Sequence, residues 1–395
     1  MSDMPIGSTL AAAVDSQQAA VEQVAAAIQT LAQNAYLPRA TYRLQFNEQF
    51  TFRDALAIVP YLDSLGISDV YASPIFKSRS GSTHGYDVCD HGQLNPVLGT
   101  SADFDALVEA LHARGMGILL DTVPNHMGVG DPCNAWWQDV LENGSASPYA
   151  TYFDIDWHPI KPELDNKVLL PILGEQYGIV LENGQFQLKY ADGAFTVYYY
   201  ETQFPIEPCT YATILSEVAA VLSQTLLPEA SGAPHEAVQE LQSILTALNY
   251  LPSRLETDPA KRIERNREKE VIKRRIAALT HAQPAVTDAI AQTLVAFNGQ
   301  AGDPRSFDKL DALLEGQPYR AAYWQVAAEE INYRRFFDVN ELAAIRVELP
   351  EVFDAVHRLS FEMLAAGEIN GFRVDHPDGL WNPPVYFRQL QERYL

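Results

Sequence analysis

Residues 40–128 alternate strand and helix patterns, and this alternation restricts the class of fold more than any other feature of the chain. ATYRLQF (40–46) has a strand pattern, DALAIVPYLDSLG (54–66) is an amphipathic helix closed by Gly66, and ISDVYASPIF (67–76) is a second strand running into a loop. SADFDALVEALHARG (101–115) repeats the helix with Ser101 as its N-cap, and MGILLDTVPNHMG (116–128) is a nearly continuous apolar strand with a polar end. Strands that are apolar on both faces and joined by helices belong to a buried parallel sheet. The pattern returns at PEVFDAVHRLSFEMLAAG (350–367), a helix closed by Gly367, followed by the strand INGFRVD. The expected fold is therefore α/β, a βα barrel interrupted after its third strand by long insertions.

The inserted residues have a different character. From 129 to about 210 the chain is rich in Trp, Tyr, Pro, Asn and Gly, with short β patterns such as GQFQLKY and AFTVYYY. Residues 211–330 read as helical and include AKRIERNREKEVIKRRIAAL (260–279), where Glu264, Glu268 and Glu270 interleave with Arg and Lys. Such spacing describes a solvated, ion-paired helix better than a nucleic-acid patch. Ala11–Gln33 is an Ala- and Gln-rich helical stretch, so the expected segments are an extension (1–37), barrel strands 1–3 (38–128), a β-rich insertion (129–210), a helical insertion (211–330) and a resumed barrel (331–395).

Composition excludes several classes of partner. A formal net charge of −23 opposes phosphate backbones, so nucleic acid is not an expected partner and a neutral or cationic ligand is favoured. No apolar run approaches the roughly 20 residues that span a bilayer, and MSDMPIGS is no secretory signal, so neither membrane nor export is expected and the cytoplasm is the default location. Cys89, Cys133 and Cys209 are odd in number and lack metal-type spacing, which suggests three reduced thiols.

Polar residues gather where strands end, which in a βα barrel is the mouth where catalytic groups converge. Strand 2 feeds a loop with His84, Tyr86 and Asp87, strand 3 ends in Asp121, Asn125 and His126, and the strand INGFRVD ends in Arg373, Asp375, His376 and Asp378. A lone Asp–His pair is most often a satisfied polar cap, but three consecutive strands each supplying one point to a site. Arg373 and Asp375 alternate on one strand face, so the guanidinium is expected to lower the pKa of the carboxylate and keep it ionised as a nucleophile. Asp121 is placed to orient Arg373, His126 and His376 to donate to sugar hydroxyls, and Tyr86 to offer a flat face to a pyranose ring. No phosphate loop or nucleophile elbow occurs. A metal-dependent barrel hydrolase is disfavoured because TYRLQF holds no His-x-His pair, so neither metal nor cofactor is expected.

STHGYDV, DTVPNHMG and GFRVDHPDGL resemble the strand-2, strand-3 and strand-4 motifs of the α-amylase superfamily, glycoside hydrolase family 13. Within it, TYRLQF, SRSGSTHGYDV and INYRRFFDVNELAAIRVE (331–348) resemble the maltooligosyl trehalose synthases, from about Pro38 onward. The resemblance implies a TIM-type (β/α)8 barrel, with Asp375 as nucleophile, Arg373 as its partner, and His84, Tyr86, Asp87, Asp121, Asn125, His126, His376 and Asp378 holding substrate. It implies conversion of the reducing-end α-1,4 bond of a maltooligosaccharide into an α,α-1,1 bond by double displacement, beside a trehalose-releasing hydrolase as a working partner. It also places a general-acid Glu after strand 5 and an Asp after strand 7, beyond Leu395. This chain is therefore expected to carry the first half of the barrel and to be inactive alone. The alternatives are another glucan hydrolase or transglycosidase of the superfamily, or a non-catalytic glucan-binding chain.

Overall fold

The computed structural model describes residues 18–19, 21–26, 28–30, 37–226 and 235–394. Of the expected N-terminal helix, the described positions between 18 and 30 are helical and exposed, while 11–17, 20, 27 and 31–33 lie outside the described residues. The chain forms two compact units, one of Met1–Ile75, Pro96–Thr122 and His357–Leu395, the other of Phe76–Asn95 and Val123–Val356.

The first unit is built on a parallel sheet with the order β1 (Thr41–Leu44), β2 (Asp69–Ala72), β5 (Gly117–Thr122) and β13 (Gly371–Val374). Its central strands β2 and β5 are mostly buried, because side chains on both faces are apolar. β13, expected from its sequence to be buried, is instead only partly so, since a strand at the edge of the described sheet has a neighbour on one side alone. The helices Phe52–Ser64 and Ser101–His112 pack together through Phe52 and Phe104, whose rings meet edge to face at 5.2 Å. The second helix is capped by Thr100, not by Ser101: Thr100 Oγ1 accepts from the Asp103 amide, and the Asp103 carboxylate accepts from the Thr100 amide. Gly66 and Gly367 end their helices with φ of +76°, a conformation that costs glycine little.

The stretch 116–128 is not one strand. β5 stops at Thr122, and β6 (His126–Gly128) pairs antiparallel with β12 (Leu342–Ala344) in the second unit. Pro124, which has no amide proton to donate, lies at the break. Also in this unit are the hairpin β3 (Phe76–Ser78) and β4 (Val88–Leu94), the parallel pair β7 (Val168–Leu173) and β11 (Tyr319–Tyr323), and an antiparallel sheet of β8 (Phe186–Ala191), β9 (Ala194–Tyr199) and β10 (Thr202–Pro205). These strands share a continuous apolar core with the helices Tyr211–Thr225, Glu236–Tyr250, Pro259–Ala282 and Pro284–Asn298.

The basic helix is not simply solvated. Arg265, Lys269 and Lys273 recur every four residues on one face, and the first two are buried, Arg265 pairing with Glu207 at 2.5 Å and Lys269 with Glu142 at 2.6 Å. The expectation of three free thiols also fails. Cys89 and Cys133 form a disulfide, and Cys209 is the free cysteine. Their 44-residue separation carried no signal that the fold brings the two Cα atoms to 5.8 Å.

Candidate active site

Parallel pairing of β13 with β5 sets Arg373 directly beside Asp121. The amide of Asp375 donates to Thr122 O at 2.9 Å, fixing the backbone just past both strand ends. From this frame Arg373 Nη1 donates to Asp121 Oδ1 at 3.0 Å and to Asp375 Oδ1 at 2.6 Å. Asp121 is fully buried, and Tyr71 on β2 donates its hydroxyl to the other carboxylate oxygen at 2.7 Å. Tyr71 also lies under two guanidinium groups, Arg43 at 5.3 Å and Arg373 at 6.0 Å from its ring centre. Buried Asp121 thus acts as an anchor. Tyr71 fixes one oxygen and Arg373 the other, and the guanidinium presents its outer side to Asp375.

Electrostatics here corrects one expectation. Burial pushes the Asp375 carboxyl above its ordinary value, and the hydrogen bond and charge of Arg373 oppose that shift without reversing it, with Asp121 adding to the rise. For Arg373, burial disfavours the charge, but the bonds to Asp121 and Asp375 outweigh it and raise the guanidinium further above its usual range. Arg373 therefore keeps Asp375 from rising further; it does not bring the carboxyl below the ordinary range. His376 follows with φ +46°, a left-handed conformation that histidine tolerates better than most residues, and its Nδ1 lies 3.3 Å from Asp378. Asp378 is largely exposed.

The other expected residues lie in the second unit. His84 and Tyr86 stack with ring centres 6.1 Å apart, and His84 Nδ1 accepts from the Tyr86 amide. Asp87 is buried and accepts from Ser82 Oγ. His126 is only 1% exposed. Its Nε2 is 3.2 Å from Tyr86 O, its Nδ1 is 3.4 Å from Asn125, and its ring packs on Phe336 at 4.3 Å. Asn125 Oδ1 in turn accepts from Arg334 at 3.1 Å. The structure thus gathers Asp121, Arg373 and Asp375 in one cluster, and His84, Tyr86, Asp87, Asn125 and His126 in another. Sequence reading missed Tyr71 and Arg334, because neither stands at a strand terminus where catalytic polar residues were sought. Among the described residues, no group of three or more His, Cys, Asp or Glu is arranged to hold a metal ion.

The family model described as alpha amylase, catalytic domain, matches residues 56–182, a stretch that includes Tyr71 and Asp121. The fold is accordingly of the α-amylase, TIM-barrel type. More narrowly, the chain is similar to maltooligosyl trehalose synthases. It is 33% identical to the solved enzyme from Arthrobacter ramosus, with a TM-score of 0.59, over 90% of this chain and 33% of that one. A curated Mycobacterium tuberculosis protein assigned as a maltooligosyl trehalose synthase is 31% identical over 360 residues, 89% of this chain and 33% of the relative. An intracellular maltogenic amylase of Bacillus subtilis is 42% identical over 100 residues, 25% of this chain and 16% of its own length. The chain spans about a third of the length of the synthases it matches.

Proposed function

We propose that this chain contributes the nucleophile of a retaining glucan transglycosidase, one that turns the reducing-end α-1,4 bond of a maltooligosaccharide into an α,α-1,1 bond. Asp375 attacks the anomeric carbon as the bond from that carbon to O4 of the reducing-end glucose breaks and the leaving oxygen takes up a proton; the C1 hydroxyl of the released glucose then attacks the glycosyl ester, giving up its proton and freeing the Asp375 carboxylate. Arg373 holds the nucleophile in its ionised form and in register, and Asp121, itself held by Tyr71, holds Arg373. His84, Tyr86, Asn125 and His126 belong to the glucan-binding residues, the last two through the shape they impose on neighbouring backbone and rings.

The observation that carries this reading is the single Arg373 nitrogen shared between buried Asp121 and half-buried Asp375. A structural ion pair would be complete with Asp121 alone. The second carboxylate, held partly dry at a cost in pKa, is the group that needs a functional explanation.

A glycosyl fluoride tests the nucleophile separately from any proton donor, because fluoride leaves without protonation. With a maltosyl fluoride that also carries fluorine at C5 of the reacting ring, the C1–F bond breaks, a C1–O bond to Asp375 forms, and the C5 fluorine slows hydrolysis of the ester. Intact-mass and peptide measurements are expected to find one maltosyl adduct on Asp375 and none in Asp375→Asn. An adduct on another residue, or equal labelling of the variant, refutes the assignment.

A further inference from the structure

The second unit contains a cavity of about 360 Å³ that no step of the proposed reaction uses. Its walls come from separate parts of the chain: the loop 129–132, the helix Ala135–Asn143, β7, β10, the end of β11, and the RRFFDVNEL stretch at Val339–Glu341. This stretch was singled out by sequence resemblance, yet Asn340 and Glu341 have no part in the Asp375 cluster. The floor is rigid. Trp137 meets Tyr333 edge to face at 5.4 Å, and the Tyr333 hydroxyl donates to Asn340 O at 2.7 Å. At the rim Trp324 is 54% exposed, braced by Tyr323 with ring centres 6.0 Å apart.

The chemistry of this lining is selective. Hydrogen bonds among the described residues leave the side-chain amides of Gln138 and Gln203 uncommitted, and both line the cavity. Neutral amides beside exposed and buried aromatic rings suit a ligand with an apolar face and an edge of hydroxyl groups, which describes a pyranose ring. No lysine or arginine lines the cavity, whereas Asp131 and Glu341 do; Glu341 is paired with Arg79 and Asp131 accepts from the amides of Ser80 and Cys133, so the lining itself presents no cation to a phosphorylated or carboxylated ligand. The volume lies at the low end of ligand pockets, roughly 300–1,000 Å³, which suits a short oligosaccharide stretch.

We infer that this cavity is a second glucan-binding site, which holds two or three glucose units of a linear α-1,4-glucan against Trp324. The choice of glucan rests on the function proposed above, while the preference for a neutral sugar rests on the lining itself.

Trp324 is exposed enough to be oxidised by N-bromosuccinimide, as is Trp381 at 81% exposure, and peptide mass spectrometry reads the two apart. Saturating maltotriose is expected to slow oxidation of Trp324 at least fivefold, whereas glucose 1-phosphate at the same concentration gives no protection. Gln138→Ala and Gln203→Ala each raise the maltotriose concentration for half-protection severalfold, with melting temperatures checked against wild type. Absence of protection by maltotriose, or equal protection by glucose 1-phosphate, overturns the site. The fluoride labelling of Asp375 distinguishes the two ideas. Labelling without Trp324 protection removes only the second site, and protection without labelling removes only the assignment of Asp375.

Discussion

Asp375 is useful as a nucleophile only while it is ionised, and its surroundings work against that. Burial is the largest influence and raises its pKa, Asp121 adds to the rise, and Arg373 with His376 pulls it down. The rate of fluoride labelling must therefore increase with pH as Asp375 deprotonates, with its acid limb above that of an ordinary aspartate. Arg373→Gln removes the main opposing influence and leaves burial unchecked. The limb is then expected to move to higher pH and the plateau rate to fall at least tenfold, because Asp375 loses its positioning partner as well. An unmoved limb would show that Arg373 has no electrostatic role. The sequence made this cluster legible through the two-residue spacing of Arg373 and Asp375 and the position of Asp121 at a strand end. It concealed the net direction of the pKa shift, because burial depends on neighbours that alternation along one strand cannot reveal. Tyr71 was hidden for a similar reason, since it lies 50 residues from the carboxylate it holds.

Among the elements, those built from local contacts were readable and those completed at long range were not. The helices Phe52–Ser64 and Ser101–His112 follow from apolar periodicity, and even the misplaced cap moved by one residue only. Pro124 was a signal within the sequence that 116–128 is no single strand, and its missing amide proton outweighs the apolar run around it. The helix Pro259–Ala282 showed its fourfold spacing of cations, but Glu207 and Glu142 are 58 and 127 residues from their partners Arg265 and Lys269. Arg265 is fully buried and bonds Glu207, Pro252 O and Cys209, so Arg265→Met leaves Glu207 uncompensated. Loss of one partner of a buried pair costs roughly 3–5 kcal/mol. Urea denaturation should show that loss for the single variant and a much smaller one for Arg265→Met with Glu207→Leu. Similar losses in both would mean that the pair itself is strongly stabilising. The Cys89–Cys133 bond closes a 44-residue loop, for which chain entropy alone gives roughly 4 kcal/mol. Thermal melts with and without reductant are expected to differ by several degrees, and Cys89→Ser should melt like the reduced protein in both buffers. Identical melts of the wild type would show that the thiols are not bridged in solution.

On the scale of the whole molecule, periodicity along the sequence suggests a βα pattern that stops near residue 128 and resumes near 350, because periodicity survives however long the interruption. It did not disclose that the first unit draws on three separate segments or that the second takes in Phe76–Asn95, a division set by packing. Charge is the other property that belongs to no single element. The formal net charge is −23, so although ion pairs engage many of the cations, among them Arg53, Arg79, Lys161, Arg265, Lys269, Lys273, Lys309, Arg334 and Arg373, the acidic groups in excess of the cations repel one another. Salt screens both attraction and repulsion between exposed charges, with a Debye length of about 10 Å at 0.1 M, but it screens buried pairs much less. The attractive pairs that matter most, Arg265–Glu207, Lys269–Glu142 and Arg373–Asp121, each include a buried carboxylate, whereas the surplus acidic groups are chiefly at the surface. Raising sodium chloride from about 10 to about 300 mM therefore removes more repulsion than attraction. The melting temperature is expected to rise by roughly 2–5 °C, with most of the change below about 100 mM, where the Debye length shortens fastest. A fall over the same range, followed by scanning fluorimetry at fixed pH, would show that exposed ion pairs contribute more to this fold than its excess negative charge takes away.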